Sequence, residues 1–399
     1  MKKYLWIVLV TFCFSVTSCN ELAPKVNAPQ NYTGDSYSDV FEGFWNGMNM
    51  NYVFWDVDPT NWNQVYSTYQ PQFANLSAVS SANNQLAEQY FTAMTAALID
   101  SHYTLTFELT GDMVSPALNR KLSIDKQYPD SIYSLPTNFF TSVVTKNYID
   151  ASSLKTGTDS ITLDGSKTVF TILMGTIQSN ILYLHFNYFA FSQAGTNTAP
   201  LLNSFFATVA DLPSTIKGIV IDVRENGGGE VTDLDYLVGS MVTTPVTYGY
   251  THSKSGIGRL DYTPWEPAIV SPHPGAVSIQ VPIVALADHL SISLAELTTL
   301  AIKTLPNGKF IGTTTWGANG PLLPVTYLNG GQFTVGSTSF GANGYMFVYT
   351  SSASFKATNG LVYEGVGIPP DSWVPETGAA YDQGVDLQLA AAVNYINSR

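Results

Sequence analysis

From Tyr37 to about residue 100 the apolar positions recur at spacings of three and four, the period of helices that bury one face. The segments are VFEGFWNGMNMNYVFWD, WNQVYSTYQPQFANL and ANNQLAEQYFTAMTAAL. In the last, Leu86, Tyr90, Met94 and Leu98 recur every four residues with Phe91 beside them. These aromatic stripes are read as core. Between about 103 and 182 the texture changes to short β segments, YTLTFEL, SITLDG and TVFTILMG, broken by Gly, Asp, Pro and Ser. Beyond 182, strands alternate with helices. LYLHFNYF is a strand and SFFATVA lies in a helix, while KGIVIDVRENGGG is a strand ending in a glycine turn. A helix at VTDLDYLVGSMV precedes a Pro/Gly/Ser-rich excursion over 243–280, which is placed as a cover for the cleft. The strand VPIVALAD, the helix SLAELTTLAIKTL and the strand KFIGTT follow. Such alternation predicts an α/β core with a mostly parallel sheet covered on both faces. Functional residues are then expected where strands end and helices begin.

The first residues, MKKYLWIVLVTFCFSVTSCNE, have a basic start at Lys2 and Lys3, a short apolar run from Tyr4 to Phe14, and the small-residue junction Val16-Thr17-Ser18-Cys19. The run falls short of the roughly 20 residues that span a bilayer, so it reads as an export signal. The junction resembles the lipobox of bacterial lipoproteins, which implies acylation of Cys19 and a membrane held through lipid alone. The expected location is therefore the bacterial cell envelope, on its extracytoplasmic side. Residues 20–34 carry two prolines and read as a tether. The expected organisation is a signal over 1–19, this tether, a helical domain over 35–102, a β-rich region over 103–181, a core over 182–380 and a C-terminal helix over 381–399.

Cys13 and Cys19 are the sole cysteines, so the processed chain has no disulfide, no Cys nucleophile and no Cys-based zinc site. The five histidines, at 102, 185, 252, 273 and 289, show no metal-ligand spacing. No metal and no organic cofactor is implied. A net charge of −13, with 12% charged residues, leaves nothing to neutralise a row of phosphates, which argues against nucleic acid as a partner.

Three segments remain that bear chemistry. In ALADHLSISLAEL a strand passes into a helix through Ser291 and Ser293, and Ser293 falls at the first turn, where unpaired N–H groups face outward. A helix cap and a nucleophile both fit that placement. DVRENGGGE ends a strand in three glycines, which serve either as a plain turn or as backbone donors close to a substrate. LIDSHYTL holds Asp100, Ser101 and His102, the last an acid–base group suited to neutral pH.

Taken together these segments resemble the C-terminal processing peptidases and tricorn-type core peptidases, chiefly over 182–372. Asp222, Arg224, Asn226, Gly228 and Gly229 match the D-(L/V)-R-x-N-x-G-G segment, and Ser291, Ser293 and Glu296 match SxSxxE. Gly312 to Gly317 match G-x-x-T-x-G; Glu364, Gly365, Gly367, Pro370 and Asp371 match E-G-x-G-x-x-P-D. The resemblance implies a ClpP/crotonase-like core, and a serine endopeptidase acting on peptides or exported proteins with Ser293 as nucleophile. The processing-peptidase branch places a lysine where this chain has Ala318, so the tricorn-type branch is the better match. That branch implies His102 as base, with Glu364 or Ser101 orienting it. The backbone N–H groups of Gly228 and Leu294 are expected to form the oxyanion hole. His289 is the alternative base. Two other readings use the same cleft: a silent lipoprotein that binds a peptide, glycan or small ligand, and an esterase.

Overall fold

In this computed structural model the described residues are 31–117, 121, 130–132, 134–163, 165–322 and 331–399; Cys19 and most of the tether lie outside them. Three helices lie near the start of the described chain: α1 (Tyr37–Asn51), α2 (Trp62–Ala74) and α3 (Ser81–Thr95). Ser36, Asn61 and Ser80 cap them, each side chain accepting an N–H of the first turn. The buried stripe of α3 is Ala87, Phe91 and Met94, whereas Leu86 is exposed. A strict spacing of four drifts around a 3.6-residue helix, so Leu86 turns toward water, Tyr90 stays half-buried at the edge of the core against Tyr69 and Phe73, and Phe91 takes the core.

These helices do not close a core by themselves. They pack on a sheet of order β1-β12-β13-β2-β3, built from β1 (Asn31–Tyr32), β2 (Thr104–Phe107) and β3 (Met113–Val114) together with β12 (Gln332–Val335) and β13 (Met346–Tyr349). Phe44 and Phe91 meet Phe333, Tyr345 and Val348 in one cluster. A hairpin more than two hundred residues downstream thus completes the N-terminal core.

The main sheet runs β15-β11-β10-β7-β6-β5-β4. Its strands are β4 (Lys155–Leu163), β5 (Ser166–Ile177), β6 (Ile181–Phe186), β7 (Gly218–Asp222), β10 (Ile283–Ala287), β11 (Gly308–Gly312) and β15 (Ser372–Trp373). From β6 to β15 neighbouring strands are parallel, and β6, β7 and β10 are buried on both faces. That explains their largely apolar sequence, interrupted by His185 in β6 and ended by Asp222 in β7. One face carries helices α4 (Ala199–Ala210) and α5 (Leu294–Thr304), the other α6 (Leu387–Asn397).

The expected ClpP/crotonase-like core, with a separate helical domain and a separate β-rich region, is corrected here. Gln178 and Ser179 adopt left-handed conformations, reversing the chain tightly between β5 and β6. The 155–177 strands therefore extend the main sheet as an antiparallel hairpin instead of standing apart. The result is one open mixed sheet. The 243–280 excursion is also placed differently from the expectation. Its strands β8 (Val246–Ser253) and β9 (Glu266–Val270) pair with each other, and β8 pairs with β14 (Ala353–Ala357). At its tip, Arg259 lies 5.6 Å from the rings of both Trp45 and Trp55 and donates to Asn49 and Asn63.

Below the main sheet, Arg224 is fully buried and forks onto Asp222 (2.6 and 2.9 Å) and Asp386 (2.8 and 2.9 Å), with Glu376 at 3.6 Å. Burial alone would raise the Asp222 carboxyl, but the Arg224 guanidinium holds it below its ordinary 3.8. Replacing Arg224 with Met leaves buried carboxylates uncompensated and is expected to cost about 3–5 kcal/mol in urea unfolding at neutral pH. The ion-paired stabilisation in the native protein is present above the ordinary Asp pKa. It is lost as pH falls through the lower folded value.

Candidate active site

β7 and β10 are adjacent and parallel, with Ile283 opposite Ile219 and Leu286 opposite Asp222. Their C-terminal ends therefore release two turns side by side, 223–229 and 288–293. Asn226 locks them together: its Oδ1 accepts the Gly228 N–H (2.8 Å), its Nδ2 donates to Phe186 O (2.7 Å), and its own carbonyl accepts the Ile292 N–H (2.9 Å). A Cβ on Gly228, where φ is +83°, would stand 2.8 Å from Ser293 Cβ and 3.1 Å from Leu294 N. Only glycine lets the turn approach the serine this closely.

Ser293 sits immediately before α5 with φ +56° and ψ −116°, a strained conformation for a residue with a side chain. Its N–H donates to Glu296 Oε2 (3.1 Å). Glu296 is wholly buried and also accepts Thr315 Oγ1 (2.5 Å), Gly317 N (2.7 Å) and Ala318 N (2.7 Å). The residue standing at the branch lysine's position thus serves the site through its backbone, as a donor to the carboxylate that pins the serine. Burial pushes the Glu296 carboxyl up from its ordinary value, opposed by the hydrogen bonds from Thr315, Gly317 and Ala318 and, last, by the Lys121 charge.

A cleft of about 850 Å³ holds Ser293, Leu294, Gly227 to Gly229 and His102 on its walls, with the β4–β5 turn (Leu163, Lys167) at another side. The His102 backbone is held by Asp100, whose Oδ1 accepts the main-chain N–H of His102 at 2.9 Å. Asp100 is itself anchored by Thr350 Oγ1 (2.5 Å), Ser351 N (2.8 Å) and Ser351 Oγ (2.9 Å). Glu364 accepts the N–H groups of Ser101 (2.7 Å), Asn319 (2.7 Å) and Gly320 (2.8 Å). Burial, then the nearby Asp100 charge, pushes the Glu364 carboxyl well above its ordinary value. One ligand atom each of Asp100, His102 and Glu364 lies within 4.8 Å of the others, a spacing compatible with a cation. Both carboxylates are already engaged by backbone N–H and hydroxyl donors, and neither receives a hydrogen bond from the His102 ring.

The sequence candidates therefore divide. Ser293, His102, Gly228 and Leu294 share the cleft. Glu364 reaches the His102 turn through backbone, and the Ser101 hydroxyl and His102 Nδ1 are buried without a hydrogen-bond partner among the described residues. The Gly228 N–H is committed to Asn226, whereas Leu294 N stands at the first turn of α5, where no intrahelical acceptor exists. His289 lines a different cavity from Ser293. None of residues 243–280 lines the cleft. The anchoring roles of Asp100 and Glu296 were not read from sequence; a carboxylate close to each candidate, in LIDSH and SLAE, was the available signal.

Residues 180–374 match the sequence model of peptidase family S41. The tricorn proteases of Thermoplasma volcanium and Thermoplasma acidophilum are 27% and 25% identical over 195 and 193 residues, 49% and 48% of this chain. The matched stretch spans 16% and 15% of those longer proteins. Among solved structures, a candidate peptidase from Parabacteroides merdae is 22% identical with a TM-score of 0.65, covering 91% of this chain and 97% of that one. Mature CPAF superposes with a TM-score of 0.55 at 11% identity, covering 91% and 95%. The chain shares the fold of these two solved structures, and its residues 180–374 resemble peptidase family S41, which replaces the ClpP/crotonase-like assignment.

Burial lowers the pKa of His102 from its ordinary 6.5, more than the Asp100 charge raises it. The imidazole is then neutral, and able to take a proton, to a lower pH than a free histidine. The reaction rate of Ser293 with a phosphonylating probe is expected to fall on acidification with its midpoint below 6.5. A midpoint above that value would contradict the placement of His102 as the base.

Proposed function

We propose that this protein is a serine endopeptidase that cleaves peptides or exported proteins through an acyl-enzyme on Ser293. The S41 match supports a serine-type peptidase; the observation that carries the finer reading is the strained Ser293 at the head of α5, sharing one cleft with His102 and the Asn226-locked glycine turn. His102 takes the Ser293 Oγ proton as Oγ attacks the substrate carbonyl carbon, and returns it to the leaving amine. Water then cleaves the ester by the same route. Leu294 N–H stabilises the oxyanion, while the Asn226 bond to the Gly228 N–H keeps the glycine turn beside Ser293. Asp100 and Glu364 hold the His102 turn in position, with Ser101 tied through its backbone.

A silent binding role has one observation in its favour, the unpartnered His102 Nδ1. Labelling of the soluble domain with a fluorophosphonate separates the two readings. Mass addition to wild type and none to Ser293→Ala is the expected result; a folded wild type that stays unlabelled would favour binding without turnover.

The lipid anchor at Cys19 and the extracytoplasmic envelope location belong to the same proposal, since exported polypeptides would meet the enzyme there. They rest on the residues of the junction, Val16-Thr17-Ser18-Cys19. Cells fed labelled palmitate are expected to mark the wild-type protein and leave Cys19→Ser unmarked, with the variant released from the membrane fraction.

A further inference from the structure

Two turns meet at the Glu364 carboxylate. Its Oε1 accepts the Ser101 N–H (2.7 Å), and its Oε2 accepts the N–H groups of Asn319 (2.7 Å) and Gly320 (2.8 Å). A ring nitrogen of His102 lies within 4.8 Å of a Glu364 oxygen. One carboxylate thus brings the 101–102 turn and the 319–320 turn within a side chain's length of each other, and His102 and Asn319 both line the cleft that holds Ser293.

Four polar atoms at this junction are buried without a hydrogen-bond partner: Ser101 Oγ, His102 Nδ1, and both Oδ1 and Nδ2 of Asn319. Asn319 is 1% exposed, and among the described residues it is the one buried carboxamide unpaired at both ends. An amide taken out of water in this way loses its hydrogen bonds and gains none, which is destabilising unless a partner is found.

The imidazole lacks a partner at the same place. A neutral histidine that takes the Ser293 proton at Nε2 carries its own proton on Nδ1, and an acceptor there fixes both the tautomer and the angle of the ring. Asp100 has no lone pair to spare, because its oxygens already accept His102 N, Thr350 Oγ1, Ser351 N and Ser351 Oγ. Glu364 is committed to three main-chain N–H groups. Asn319 Oδ1 is the acceptor left over at the junction, and Asn319 Nδ2 is a donor suited to Ser101 Oγ.

We propose that Asn319 is the positioning residue of the base, its Oδ1 accepting the His102 Nδ1–H and its Nδ2 donating to Ser101 Oγ. The two bonds satisfy all four atoms. They are open in the empty cleft and close when Ser293 carries a bound group, as catalytic hydrogen bonds commonly do. The role rests on the reading of Ser293 and His102 as nucleophile and base.

The test uses the purified protein with nitrogen-15 in its histidines, observed by NMR before and after reaction with a fluorophosphonate, His102 being assigned by its loss in His102→Gln. In the reacted wild type the His102 Nδ1 proton is expected to be protected from exchange with water. Asn319→Leu keeps the branched shape without the polar atoms, and is expected to lose that protection and to react with the probe roughly tenfold more slowly. Asn319→Ala, which adds no bulk, is a second variant with the same expected outcome. Ser101→Ala leaves Oδ1 in place and should keep the proton protected. Protection that survives both Asn319 variants, protection lost in Ser101→Ala, or an unchanged reaction rate would each overturn the role of Asn319 while leaving the nucleophile and base standing. A folded wild type that does not react would instead remove the peptidase reading and this role with it.

Discussion

The parallel register of β7 against β10 is the constraint on which the site depends. Because Leu286 stands opposite Asp222, the turns that follow the two strands emerge at the same height. Asn226 then needs only one side chain and one carbonyl to join the glycine turn, the end of β6 and the segment before Ser293. A slip of one residue would reverse the direction of every side chain on the strand and separate Gly228 from Ser293.

Buried carboxylates fix the rest of the geometry, each by gathering donors from segments far apart in the chain. Glu296 binds the head of α5 to 315–318, Glu364 binds 101 to 319–320, and Asp100 binds 102 to 350–351. Burial of a carboxylate is costly unless its oxygens are satisfied, and here each receives several donors. Such arrangements tolerate little displacement, which is how a strained residue such as Ser293 is held in place.

The N-terminal helices are joined to this machinery by strands that the core contributes and by the Arg259 guanidinium. β12 and β13 leave the core to complete the sheet beneath α1 and α3, and His102 lies just before β2 of that same sheet. Arg259 at the tip of the β8–β9 excursion sits against Trp45 and Trp55. The placement of His102 relative to Ser293 is consequently a property of both modules packed together.

The local features were legible in the chain. The apolar strands β6, β7 and β10 and the alternation of strand and helix follow from local spacing, because each is decided by neighbours within a few residues, whereas the Ser293, Gly228 and His102 candidates rest on motifs read together through the family resemblance. Tertiary structure decided what depends on distant partners. It drew 155–177 into the main sheet through a turn with two left-handed residues, gave the N-terminal core a hairpin from 332–349, and turned Leu86 outward in favour of Phe91. It also engaged the Gly228 N–H with Asn226 and set Glu364 under a backbone turn. The direction in which a carboxylate or an N–H points is determined by which segments converge on it, and that convergence has no signature in local sequence.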